Sequence, residues 1–125
     1  MLEFIFQRKE LENRYGEYRF IYKIQSSALL RICLALYDID NLNFMFTKLR
    51  IRDNNVLKPD LVYSLSSKKE LETFIDKYSD KIRTVEYRGR YKGETIAIVV
   101  NFEYSGVIFV TENEEIINNL ISELR

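Results

Sequence analysis

Histidine is absent from this chain of 125 residues. That removes the side chain whose ordinary pKa lies nearest neutrality and which most often serves as general base, general acid or zinc ligand. A Ser-His-Asp or Cys-His site is thereby excluded within the chain, and a zinc site would have to be built without His and with a single Cys. That cysteine, Cys33, lies in the most apolar segment, where a thiol loses reactivity, and it reads as a core residue. With one cysteine no internal disulfide can form, which fits a reducing cytoplasm. Glycine occurs four times and proline once. Gly89 and Gly93 stand in Tyr87-Arg88-Gly89-Arg90-Tyr91-Lys92-Gly93-Glu94, which has neither the P-loop nor the dinucleotide-binding pattern. Net charge is missing as well: 19 Lys and Arg balance 19 Asp and Glu, so the whole protein has no field to draw in nucleic acid or an acidic membrane. No segment approaches the ~20 apolar residues of a membrane span, and Met1 to Gln7 lacks the basic flank and long apolar run of a signal peptide. The expectation is a cytoplasmic chain with no cofactor, no metal site, no catalytic residue and no membrane partner.

What is present suffices for one folded domain over residues 1–125, since the chain is 46% hydrophobic and 14% aromatic. Richness in Ile, Asn, Lys, Glu and Tyr resembles AT-rich coding and points to a low-GC bacterium or a mobile element. Ser67 and Glu70 have capping-box spacing, and Leu71, Phe74, Ile75, Tyr78 and Ile82 follow at helical intervals. Thr111 and Glu114 repeat that spacing before the stripe Ile116, Ile117, Leu120, Ile121 and Leu124. A third helix, Ser27 to Tyr37, has Arg31 as its single cation and almost no polar face. Such a helix needs cover on most sides, either from its own chain or from a second copy in a homodimer through residues 27–37.

Alternation and β-branched or aromatic enrichment predict strands at Leu2 to Arg8, Tyr15 to Ile24, Asn43 to Arg52, Leu61 to Leu65, Arg83 to Tyr91, Thr95 to Tyr104 and Val107 to Val110. Tight turns at Lys92-Gly93 and Ser105-Gly106 make the last three an antiparallel meander. The fold class is α+β: a mainly antiparallel sheet with two amphipathic helices and one apolar helix, in the order ββ-α-ββ-α-βββ-α.

The chemistry-bearing features are few. Asp38 and Asp40 flank Ile39, a spacing that aims two carboxylates to one side of a strand but also suits a polar turn after a helix. The most pointed segment runs from Lys81 to Lys92, where Lys81, Arg83, Arg88, Arg90 and Lys92 oppose Glu86 alone. Tyr87 and Tyr91 interleave with those cations, a mixture found where guanidinium groups hold phosphates and aromatic faces stack bases. It is also the mixture enriched at protein interface hot spots. In Asn43 to Arg52, strict alternation sets Met45, Thr47, Leu49 and Ile51 toward the core and Phe44, Phe46, Lys48, Arg50 and Arg52 toward solvent. Residues 94–125 carry six glutamates against Arg125, so charge is segregated along the chain.

The stretch Arg14-Tyr15-Gly16-Glu17-Tyr18-Arg19-Phe20-Ile21-Tyr22-Lys23-Ile24 resembles the strand pair around the arginine of the RelE/ParE toxin superfamily. In that family it follows helices and an earlier strand. Here it lies near the N-terminus and leads into the apolar helix, so no function is transferred. The function expected from the residues is non-enzymatic binding of a protein partner, which the chain modulates or neutralises in the manner of an immunity protein. An enzyme using carboxylates or a tyrosine/arginine pair is a third class, and the alternative among binding functions is a nucleic-acid-binding module. Both binding readings use Arg83, Tyr87, Arg88, Arg90, Tyr91, Lys92, Lys48, Arg50 and Arg52.

Overall fold

A computed structural model describes residues 7–14 and 17–124, with side chains from residue 19 onward. The elements follow as β1 (Gln7–Arg14), β2 (Glu17–Lys23), α1 (Leu29–Ala35, with 3-10 turns at Ser26–Ala28 and Leu36–Asp38), β3 (Leu42–Ile51), β4 (Leu61–Leu65), α2 (Lys68–Tyr78), β5 (Ile82–Tyr91), β6 (Glu94–Asn101), β7 (Gly106–Thr111) and α3 (Glu114–Leu124). This is the α+β order expected. The seven strands form one antiparallel sheet in the order β1-β2-β7-β6-β5-β3-β4.

One face of the sheet carries the core. Phe20, Phe109, Ile98, Tyr87, Thr47 and Leu65 form one cross-strand row, and Tyr22, Val107, Val100, Val85 and Leu49 form the next; all are buried. Against these rows pack Ala28, Leu29, Ile32, Cys33 and Leu36 from the apolar segment, Leu71 and Ile75 from α2, and the full expected stripe of α3. The cover for those five positions of the apolar segment thus comes from within the chain, while Leu30 and Leu34 stay half-buried. Thr47 is tolerated in the core because its hydroxyl meets that of Tyr37 at 2.5 Å.

Side-chain capping marks the starts of α2 and α3. Ser67 accepts from the Glu70 N–H, and Glu70 returns by accepting from the Ser66 N–H and hydroxyl, which holds its carboxyl below the usual range. At α3 the expected Thr111 cap is displaced: Asn113 accepts from the Glu115 N–H, and Thr111 stays at the end of β7 with its hydroxyl donating to the Thr95 carbonyl. Ile82 belongs to β5 rather than to the stripe of α2, because that helix ends at Tyr78.

Two strands also end elsewhere than expected by more than two residues. The polar run Gln7–Arg14 forms β1, where the apolar Leu2 to Arg8 was expected; residues 1–6 lie outside the described residues. Main-chain pairing with β2, from Gln7 opposite Lys23 to Arg14 opposite Glu17, needs no apolar alternation. β6 stops at Asn101, whose side chain accepts from the Tyr104 N–H and closes a loop over 102–105 in place of a tight turn. The β5–β6 turn is the tight one: Lys92 and Gly93 both have positive φ, 50° and 84°, as a two-residue hairpin with right-handed twist requires.

Candidate functional site

No described element covers the second face of the sheet. Its central row runs Ile21, Ile108, Val99, Glu86, Lys48 and Ser64 across β2, β7, β6, β5, β3 and β4. The first three side chains are half-buried and form an aliphatic strip, widened by Val110 and Ala97 in the next row. Beside the strip, Lys48 and Arg50 of β3 and Arg88 and Arg90 of β5 are all exposed. Along β3, β5, β6 and β7 these four cations face the single carboxylate of Glu86, which lies 3.6 Å from the Arg88 Nε. Lys48 also lies over the Phe46 ring at 5.1 Å, which keeps one aromatic on this face beside the cations.

The remaining predicted residues go elsewhere. Tyr87 and Tyr91 are fully buried on the helix-covered face, contrary to a role in stacking a base or contacting a partner. Successive strand residues point to opposite sides, so Tyr87, Gly89 and Tyr91 share one face and Glu86, Arg88 and Arg90 the other. Tyr87 donates to the Cys33 carbonyl at 2.7 Å, and Tyr91 donates to the Glu123 carboxylate. Burial raises the pKa of both phenols, and the hydrogen bond to Glu123 adds to the effect at Tyr91. Lys92 occupies the hairpin turn, with its ammonium 5.3 Å from the Tyr91 ring.

Arg83 and Arg52 line a separate cleft of about 420 Å³ at the end of the sheet, with Asp80, Lys81 and Glu103. Arg83 sits where the β3–β5 register shifts; it pairs with Glu103, and its Nε lies 3.0 Å from Asp60 Oδ1 without hydrogen-bond alignment. It is committed to internal charges. Asp38 ends a 3-10 turn and pairs with Lys68 at 2.7 Å, so Asp38 by itself ties that turn to the start of α2. Among the described residues no cluster of His, Cys, Asp and Glu could hold a metal ion, and no described helix is long and apolar enough to cross a membrane.

A bulge in β3 changes the other expected face. Phe44 opposes Gly89 and Phe46 opposes Arg88, leaving Met45 as the extra residue. Phe44 therefore turns to the core, 4.8 Å from the Tyr87 ring, while Met45 is 80% exposed; beyond the bulge the expected alternation holds. Gly89 makes the bulge possible. A Cβ there would lie 2.0 Å from the Asn43 carbonyl oxygen. The aliphatic strip had a sequence signal, since Ile21, Val99 and Ile108 all occupy the parity that is not the core's; what that parity lacked was the strand order that aligns them.

The chain matches no family model, no curated protein and no solved structure.

Proposed function

We propose that this chain is a non-enzymatic protein-binding domain that modulates or neutralises a partner, as immunity-type proteins do, and that the partner's acidic surface docks on the open face of the sheet. The observation that carries this reading is the juxtaposition of a half-buried aliphatic strip with Lys48, Arg50, Arg88 and Arg90. An apolar centre bordered by charge is how specific protein interfaces are built, and four cations against one carboxylate set the sign of what they prefer. A nucleic-acid polymer is the weaker match: the two tyrosines offered for stacking are buried, and the chain has no net positive charge.

The test is capture of ligands from a lysate of the source organism on the tagged protein, with and without nuclease, beside an Arg88→Glu/Arg90→Glu variant. The expected result is a protein rich in Asp and Glu that survives nuclease and is lost from the variant. Retention of RNA or DNA at low salt, lost with nuclease, would replace the proposal with the nucleic-acid reading. A protein held equally by both forms would move the contact off this face.

A further inference from the structure

The two edges of the sheet are unlike. β1 reads Gln-Arg-Lys-Glu-Leu-Glu-Asn-Arg, five of whose eight residues are charged. β4 reads Leu-Val-Tyr-Ser-Leu, with no charge at all. A strand paired on one side leaves alternate main-chain N–H and C=O groups free to bind another strand, and proteins usually blunt such an edge with charge, proline or a bulge. Among the described residues β4 pairs with β3 alone, and it has none of these within it.

Apolar surface collects around the same edge. Six large hydrophobic side chains are exposed among the described residues, and five of them, Met45, Val56, Leu57, Leu61 and Val62, belong to β4, the loop leading into it or the bulge beyond its far end. On the helix side, Tyr63 lies tilted against Phe74 and stacked with Tyr78 of α2, with ring centroids 4.8 and 6.1 Å away. All three rings remain half-exposed at the margin of the core. The core continues to the edge and stops one layer short of being closed.

We propose that a second copy of this chain closes it: two β4 strands pair antiparallel about a two-fold axis at Tyr63, joining two seven-stranded sheets into one. The strand suits its own reverse. Leu61 falls opposite Leu65 and Val62 opposite Ser64, so no charge meets a like charge. The same two-fold carries the Val56–Leu57 loop at the start of one β4 toward the end of the other. There a cleft of about 370 Å³ opens between Leu65, Ser66 and Ser67 and the apolar Phe44, Met45 and Phe46. Exposed apolar side chains at one end of the strand, and at the other a cleft of mixed lining with Phe44, Met45 and Phe46 along one wall, are what an isologous contact uses twice. Val62 and Ser64 stand opposite Arg50 and Lys48, so the edge adjoins the cationic face, and pairing through β4 would make the cationic faces of the two copies continuous. A strand of five residues makes a small contact, and the dimer is expected to dissociate in the micromolar range.

Sedimentation equilibrium on the full chain, from low micromolar to near millimolar concentration, reads the outcome. The expected result is a mass rising from monomer to dimer, with slower hydrogen exchange over 61–65 at high concentration. Val62→Lys and, separately, Leu57→Lys should hold the protein monomeric with unchanged circular dichroism. Leu34→Lys, on the half-buried side of α1, should leave the dimer intact. A monomer at every concentration overturns the proposal, including one whose β4 accepts a foreign peptide. A dimer lost in Leu34→Lys and kept in both β4-edge variants also overturns it, and assigns the contact to the apolar helix.

Discussion

Tyr87 and Arg88 are neighbours in the chain and have opposite fates. Tyr87 lies under α1, fully buried, with its hydroxyl bonded to the Cys33 carbonyl and its ring against Tyr37 and Phe44. Arg88 stands in solvent on the other side of the same strand, with Glu86 as its nearest charge. The pleat converts one residue of sequence into the thickness of the sheet, so an Arg/Tyr segment that reads as a mixed binding patch is two separate surfaces. The tyrosine face holds the fold together, and the arginine face stands in solvent.

Four experiments sharpen or break that separation. The largest effect belongs to Gly89, which lies between Arg88 and Arg90 in sequence but meets the β3 bulge on the other side. Gly89→Ala should destabilise by about 3 kcal/mol in urea denaturation, because the clash is with main chain that cannot rotate away. A loss below about 1 kcal/mol would mean that the bulge relaxes. Next, Tyr87→Phe keeps the ring and removes the bond to the Cys33 carbonyl; an expected loss of roughly 1 kcal/mol with partner capture unchanged separates the two faces directly.

A smaller effect comes from pH. Burial pushes the Cys33 thiol up to about 12, above the ordinary value it regains on unfolding. A raised folded pKa contributes its full stability below the unfolded pKa. That contribution is lost as pH climbs toward the folded value, because only the unfolded chain releases the proton. The unfolding free energy from urea titration should therefore fall from about pH 7 to about pH 9, by under about 1 kcal/mol on this account, and less steeply in Cys33→Ala. An equal slope in both forms would assign the change to other groups. Least affected in stability is Arg88→Glu/Arg90→Glu, expected within about 0.5 kcal/mol of the parent while losing its partner. A large drop there would make the arginines part of the fold and end the comparison.

Legibility in the sequence followed the kind of interaction involved. α2 and α3 were readable because capping and the apolar period of a helix are local, although Asn113 took the cap expected of Thr111 once Thr111 found the Thr95 carbonyl. β4 was read to the residue, since a short apolar run between a proline loop and a serine cap has few alternatives. β1 runs on to Arg14, past the end expected at Arg8, because edge pairing uses main chain and leaves little mark on residue type. Of the predicted site, Lys48, Arg50, Arg88 and Arg90 come together on one face, while Arg83 and Arg52 lie at the cleft, Lys92 in a turn and both tyrosines in the core.

The sequence by itself determined the α+β class, the order of elements, the two amphipathic helices and the buried thiol. Each follows from periodicity or composition over a few neighbouring residues. Only the tertiary structure decided that β3 lies beside β5, that Met45 bulges out while Phe44 turns in, that Ile21, Ile108 and Val99 form one strip, and that the uncharged β4 is left at an edge. Those outcomes depend on pairings between residues far apart in the chain, and the physical reason is register: a shift of one residue in a strand changes which face every side chain meets.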